Sequence, residues 1–71
     1  MNKKIMEFVV YVIHACSKKW NMSPSAVYQK LMTKNCISGY LVPHYEVLHT
    51  QSTSFVVEDI EEYIGADGDK R

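Results

Sequence analysis

The sequence has few of the residues that small secreted, nucleic-acid-binding and membrane proteins depend on. Its 71 residues contain two cysteines, Cys16 and Cys36, too few for the disulfide scaffold that usually stabilises a secreted domain of this size. Eight basic and eight acidic side chains balance, and the single arginine is Arg71, so nothing attracts nucleic acid or an anionic membrane over a long range. We therefore expect a cytoplasmic protein with reduced thiols, and neither nucleic acid nor membrane as a partner.

A targeting signal at the N-terminus is the alternative to a cytoplasmic protein. Two lysines precede an apolar-rich stretch, and residues 13–16 loosely resemble a lipoprotein cleavage box. However, Glu7 and His14 interrupt the apolar segment, which a signal sequence needs to be continuous. Its longest clean run, residues 8–13, is too short to span a bilayer. We expect this stretch to be a helix of a soluble domain.

The spacing of apolar residues predicts an all-α fold, a small bundle of about four helices. The strongest signal covers residues 2–20, where apolar side chains recur at three- and four-residue steps, as on one face of a helix. Asn2 suits the N-cap of this helix. The predicted face consists of Ile5, Phe8, Val9, Val12, Ile13, Cys16 and Trp20.

Capping and turn residues predict where the second and third helices lie. Ser23 and Pro24 are typical of an N-cap followed by a first helical residue, so a helix is predicted over 24–34, ended by Asn35 in a left-handed conformation. Val27, Tyr28, Leu31 and Met32 are expected to form its inner face. A third helix is predicted over 40–49, with Pro43 tolerated in its first turn.

The last part of the chain is predicted to be extended before it becomes helical. Phe55, Val56 and Val57 are β-prone residues, so a short extended stretch is expected over 54–57, followed by a helix over 57–64. Residues 1–65 are expected to form one domain, and residues 66–71 a frayed tail.

No group of residues indicates catalysis or the binding of a metal or cofactor. The three histidines and two cysteines lack the close pairs of a zinc site, and no third group orients a Cys–His pair as a nucleophile. The acidic residues between 58 and 62 are expected to form a solvated helix face. We therefore predict a non-enzymatic protein without a cofactor.

Apolar residues outside the main stripe indicate where a partner would bind. Met6, Val10 and Tyr11 widen the apolar surface of the first helix beyond what a single-sided helix needs, and Tyr45 is a further exposed aromatic candidate. Such a surface on a small domain predicts a protein–protein interaction module, and a homodimer is also possible on these grounds. We take these four residues as candidates for partner binding.

A dimeric DNA-binding regulator is the alternative function. Consecutive short helices are compatible with a helix-turn-helix, whose recognition helix would be residues 40–49. That segment contains His44, Tyr45 and His49 but no lysine or arginine. Because phosphate contacts dominate the affinity for DNA, nucleic acid is the less favoured partner.

Short motifs in the sequence resemble those of one protein family. They are Val27-Tyr28, Leu48-His49-Thr50-Gln51 and Asp59-Ile60-Glu61-Glu62-Tyr63-Ile64. The sequence resembles a family of short bacterial proteins classified as a domain of unknown function, although Pro43 departs from its pattern. The resemblance implies an accessory protein, antitoxin-like or regulatory, encoded beside a larger protein akin to ADP-ribosyltransferases. It implies no catalytic or binding residue.

Overall fold

Five helical segments follow one another along the chain. The computed structural model describes residues 2–65, and the predicted frayed tail at 66–71 lies outside them. The segments are helix α1 (Lys3–Trp20), helix α2 (Pro24–Thr33), a π-helical turn (Ile37–Leu41), the one-turn helix α3 (Tyr45–Leu48) and helix α4 (Thr53–Gly65). No strand occurs among the described residues, and the predicted small all-α fold is confirmed.

The ends of α1 and α2 form as local sequence chemistry predicts. The Asn2 side chain accepts a hydrogen bond from the backbone N–H of Ile5 at 2.8 Å, and the Ser23 side chain accepts one from Ala26 at 3.1 Å. Each satisfies a donor that the first turn of a helix leaves unpaired. Asn35 follows α2 with a φ of 55°, the left-handed conformation expected of it.

The core lies where α1 packs against α2 and α4. Buried apolar side chains from all five segments contribute, and no charged or polar side chain is buried among the described residues. The predicted face of α1 supplies four of the buried residues, and its Ile5, Ile13 and Trp20 pack at the edge. The core consists of Phe8, Val9, Val12, Cys16, Val27, Leu31, Cys36, Ile37, Leu41, Leu48, Val56, Val57, Ile60 and Ile64.

The predicted extended stretch over 54–57 is wrong, because α4 begins before it. The Ser52 hydroxyl accepts a hydrogen bond from the backbone N–H of Phe55 at 3.1 Å. Its carbonyl accepts one from Val56 at 3.0 Å, so Ser52 starts the helix. Val56 and Val57 are then buried with the later apolar residues of α4. This burial outweighs the preference of β-branched residues for strands, which spans only about 1 kcal/mol.

The single helix predicted over 40–49 is interrupted, and its start also lies earlier. Pro43 has no N–H to continue the helical hydrogen bonds, and its ring restricts the preceding turn. The chain forms the π-helical turn before Pro43, where Val42 donates to the carbonyl of Ile37 at 2.9 Å, and α3 after it. The segment proposed as a DNA recognition helix therefore includes an α-helix of only four residues.

Gly39, in the π-helical turn, lies close to the ends of two side chains. A Cβ atom at this position would lie 2.7 Å from the Asn35 amide nitrogen and 3.2 Å from the Tyr63 hydroxyl. Tyr63 stacks on Tyr40 with their ring centroids 4.9 Å apart. A larger residue at position 39 would therefore require the ends of the Asn35 and Tyr63 side chains to move.

Candidate functional site

Exposed apolar side chains gather in a groove between α1 and α2. Of the seven large apolar residues exposed between residues 2 and 65, four line this groove. They are Met6, Val10, Tyr28 and Met32, with 53%, 46%, 44% and 48% of their surfaces exposed. We call this hollow the α1–α2 groove.

The α1–α2 groove has a buried base and exposed apolar walls. Val9 and Ile37 are buried and Ile13 is half-buried, so these residues form the base. The exposed side chains of α1 and α2 form the two walls, and Ser38 lies at the π-helical turn. The groove has a volume of about 460 Å³, and no charged residue lines it.

The structure places the four predicted partner-binding residues in two regions. Met6 and Val10 lie in the α1–α2 groove. Tyr11 instead faces α4, where its hydroxyl is hydrogen-bonded to the hydroxyl of Thr53. Tyr45 is half-buried and packs edge-on against Phe8, with ring centroids 5.4 Å apart. The groove thus joins two of the four candidates, while the other two make intramolecular contacts.

Two groove residues were assigned by sequence to the inner face of α2. Tyr28 and Met32 are two of the four residues predicted for that face. Both are exposed, whereas Val27 and Leu31 on the same helix are fully buried. Since 28 and 32 are four residues apart, they form a second apolar stripe beside the buried one. This second stripe is the sequence feature from which the α2 wall of the groove could have been predicted.

A polar cluster joins the C-terminal end of α1 to α4. The Trp20 indole N–H donates a hydrogen bond to the Glu61 carboxylate at 2.6 Å, and the Lys19 ammonium lies 3.3 Å from it. The hydrogen bond from Trp20 lowers the pKa of the Glu61 carboxyl below its ordinary value of 4.5, and Lys19 acts in the same direction. The sequence predicts that Glu61 belongs to a solvated acidic face. In the structure it also joins α4 to α1 through Trp20 and Lys19.

This cluster predicts a loss of stability in acid. Because the folded pKa of Glu61 is lowered, its contribution is fully present above pH 4.5 and is lost as pH falls through the lower folded value. The carboxylate is partly exposed, so we expect a contribution of at most about 1 kcal/mol. Urea unfolding between about pH 5 and pH 3 should show a steeper loss for the wild type than for Glu61→Gln.

The control for this measurement is Glu62→Gln, which removes an exposed carboxylate from the next position of the same helix. It should keep the steep acid dependence of the wild type. Parallel pH profiles for the wild type and Glu61→Gln would contradict the role assigned to Glu61.

The two thiols lie in the core rather than at a reactive surface. Cys16 and Cys36 are free and fully buried. Desolvation is the main cause that raises the pKa of Cys16 to about 11 and that of Cys36 to about 12. A thiol acts as a nucleophile through its thiolate, so both side chains are held in the unreactive form. They pack as small apolar groups, as sequence predicted for Cys16.

The histidines and acidic residues form no evident metal centre within residues 2–65. No group of three or more His, Cys, Asp or Glu side chains converges there. His44 is exposed, with its Nδ1 atom 2.9 Å from the Tyr40 carbonyl oxygen, and His49 stacks on Tyr45 at 4.6 Å. Both contacts are thus local, each joining residues four positions apart in the chain.

None of the helices between residues 2 and 65 is both long enough and apolar enough to cross a bilayer.

The comparisons with known proteins place the chain in a family. No curated protein and no solved structure matches the chain. The model of a family described as "Protein of unknown function (DUF3791)" matches residues 7–67. This match confirms the expected resemblance to a domain of unknown function. The chain therefore belongs to the DUF3791 family of proteins of unknown function.

Proposed function

We propose that this protein is a non-enzymatic interaction module that binds a second protein through the α1–α2 groove. The observation that carries the proposal is the clustering of four exposed apolar side chains around one uncharged hollow. Scattered exposed apolar residues are ordinary on a soluble protein, but a contiguous patch is typical of a binding surface. Covering it would remove apolar area from water, which favours association.

The chemistry of the groove specifies an apolar partner surface. A charged side chain of the partner would lose its hydration there and find no opposite charge along the lining. The protein's own formal net charge is zero, so long-range attraction does little to select the partner. Shape and apolar contact therefore determine which protein binds.

The finer role that we propose is that of an accessory protein. The motif resemblance implies an antitoxin-like or regulatory protein encoded beside a larger protein akin to ADP-ribosyltransferases. The product of the adjacent gene is thus the first partner to test, and the proposal places both proteins in the cytoplasm. The buried, protonated thiols are consistent with a role that requires no catalytic nucleophile.

Co-purification of the two proteins tests this proposal. We expect the wild type to retain the product of the adjacent gene and Val10→Asp to lose at least about tenfold in affinity. The substitution would bury an unpaired carboxylate in the apolar interface, and about 1.4 kcal/mol already corresponds to a factor of ten. Binding can be quantified by isothermal titration calorimetry with the purified full chains.

Val47→Asp is the matched control. Val47 is an exposed valine on α3, 60% exposed and outside the groove, so this variant should bind like the wild type. Absence of binding to the adjacent gene product would refute the accessory role. Equal binding by Val10→Asp and the wild type would refute the groove as the interface.

A further inference from the structure

We propose that Met6 and Met32 are the sites at which a hydroperoxide oxidises this protein, converting each thioether to a sulfoxide and making the α1–α2 groove polar. The exposure of the two side chains is the first argument. Met6 is 53% exposed on α1 and Met32 is 48% exposed on α2, and both line the groove. Met22 is half-buried and packs against the core. Because oxidation follows exposure, the two groove methionines should react before Met22.

The two thiols do not compete for the oxidant in the folded protein. A cysteine is oxidised as its thiolate, and only where the oxidant reaches the sulfur. Cys16 and Cys36 are fully buried, and desolvation raises their pKa values to about 11 and about 12. A thioether has no proton to lose and needs only contact with the oxidant. The exposed sulfur atoms of the groove should therefore react while the thiols of the core stay reduced.

The reaction at each methionine is a two-electron transfer of oxygen. A lone pair of the sulfur attacks one oxygen of hydrogen peroxide, so that an S–O bond forms and the O–O bond breaks. The departing hydroxide takes up the proton of the transferred oxygen, and the products are the sulfoxide and water. The sulfur is oxidised and the peroxide is reduced, and the balance needs no further reactant.

Oxidation changes both walls of the groove and spares the core. Each reaction replaces a flexible apolar side chain with a polar one. No charged residue lines the groove, and a partner covering it with an apolar surface would remove water from both sulfoxide oxygens. Since Met6 and Met32 lie outside the buried core, the domain should stay folded. Oxidation should thus weaken partner binding, a consequence that rests on the proposed function.

Treatment of the full chain with hydrogen peroxide tests the oxidation sites. Cleavage after lysine places Met6, Met22 and Met32 in different peptides, whose masses give the rate at each residue. In the folded protein, Met6 and Met32 should each gain one oxygen at least about threefold faster than Met22, with both thiols still reduced. In denaturant the three methionines should react at similar rates. Equal rates in the folded protein, or earlier oxidation of Met22 or a thiol, would overturn the assignment.

The double variant Met6→Leu, Met32→Leu is the matched control for the change in the groove. Leucine has a similar apolar volume and no sulfur to oxidise. After peroxide treatment, the wild type should elute earlier from a hydrophobic-interaction column with an unchanged unfolding midpoint, and the double variant should not shift. A wild type that carries both sulfoxides without any shift, or that has unfolded, would overturn the proposed change.

Binding to the product of the adjacent gene separates this inference from the proposed function. The oxidised wild type should lose at least about tenfold in affinity, and the treated double variant should lose none. Equal affinities of the treated and untreated wild type would overturn the effect of oxidation on binding. Failure of the untreated protein to bind would overturn the proposed function, while the peptide rates and the column retention would still decide the oxidation sites.

Discussion

Truncation of Leu31 to alanine should remove about half of the protein's stability or more. Leu31 is fully buried on α2, the helix that packs against α1. Leucine-to-alanine substitutions in cores cost about 2–5 kcal/mol, because they lose apolar contact and leave a cavity. A domain of 71 residues has a total stability of only about 4–10 kcal/mol. The cost of this substitution is therefore a large fraction of the free energy of unfolding.

Thermal unfolding followed by far-ultraviolet circular dichroism measures this effect. The midpoint for Leu31→Ala should fall by at least about 10 °C, since each kcal/mol shifts a domain of this size by about 4–8 °C. Met32→Ala is the matched control, because it removes a similar side chain at the next, half-exposed position. It should unfold close to the wild type. Equal midpoints for the two variants would contradict the burial of Leu31.

Both native thiols should resist modification until the protein unfolds. With their pKa values raised to about 11 and about 12, Cys16 and Cys36 carry little thiolate at pH 8. Their thiolate fractions alone are lower than that of an ordinary thiol by about a hundredfold or more. Burial in the core adds a steric barrier to the reagent. Native labelling by Ellman's reagent should therefore be at least a hundredfold slower than labelling in denaturant.

An introduced surface cysteine provides the control for this experiment. Gln29→Cys places a thiol at an exposed position of α2, and this thiol should react at once while the two native thiols stay protected. Rapid reaction of the native thiols in the folded wild type would show that the core opens easily or that the thiols are accessible.

Sequence predicted the features of this fold that depend on neighbouring residues. Asn2 and Ser23 cap α1 and α2 because a short polar side chain reaches the N–H three residues ahead. The apolar stripe of α1 could also be predicted from the sequence, since a helix that packs along one face requires apolar residues at helical spacing. These features need no knowledge of where the other helices lie.

The errors arose where distant contacts decide the structure. Val56 and Val57 are β-prone in isolation, but their burial in the core makes them part of α4. Ser52 at the N-cap is the local sequence feature that could have predicted where α4 begins. Pro43 is predicted to be tolerated in the first turn of one helix, whereas the π-helical turn before it depends on packing that spacing alone does not reveal.

The α1–α2 groove could be predicted only in part, for the same reason. Met6 and Val10 were identified because they lie outside the stripe of α1. The sequence predicts that Tyr28 and Met32 face the core, because it shows that a side chain is apolar but not whether a neighbouring segment covers it. Tyr11 is a candidate for the same reason as Met6 and Val10, and Tyr45 as an exposed aromatic, but their contacts with Thr53 and Phe8 join segments distant in sequence.

The bond between Trp20 and Glu61 gives the molecule an internal optical reporter. Trp20 is the only tryptophan, and its indole touches a carboxylate of α4, so its fluorescence should respond when α4 separates from α1. The groove lining on α1 ends at Ile13, and Trp20 lies seven residues further on, about 10 Å along the helix axis. Emission from the unlabelled protein should therefore follow folding and remain nearly silent to a ligand in the groove.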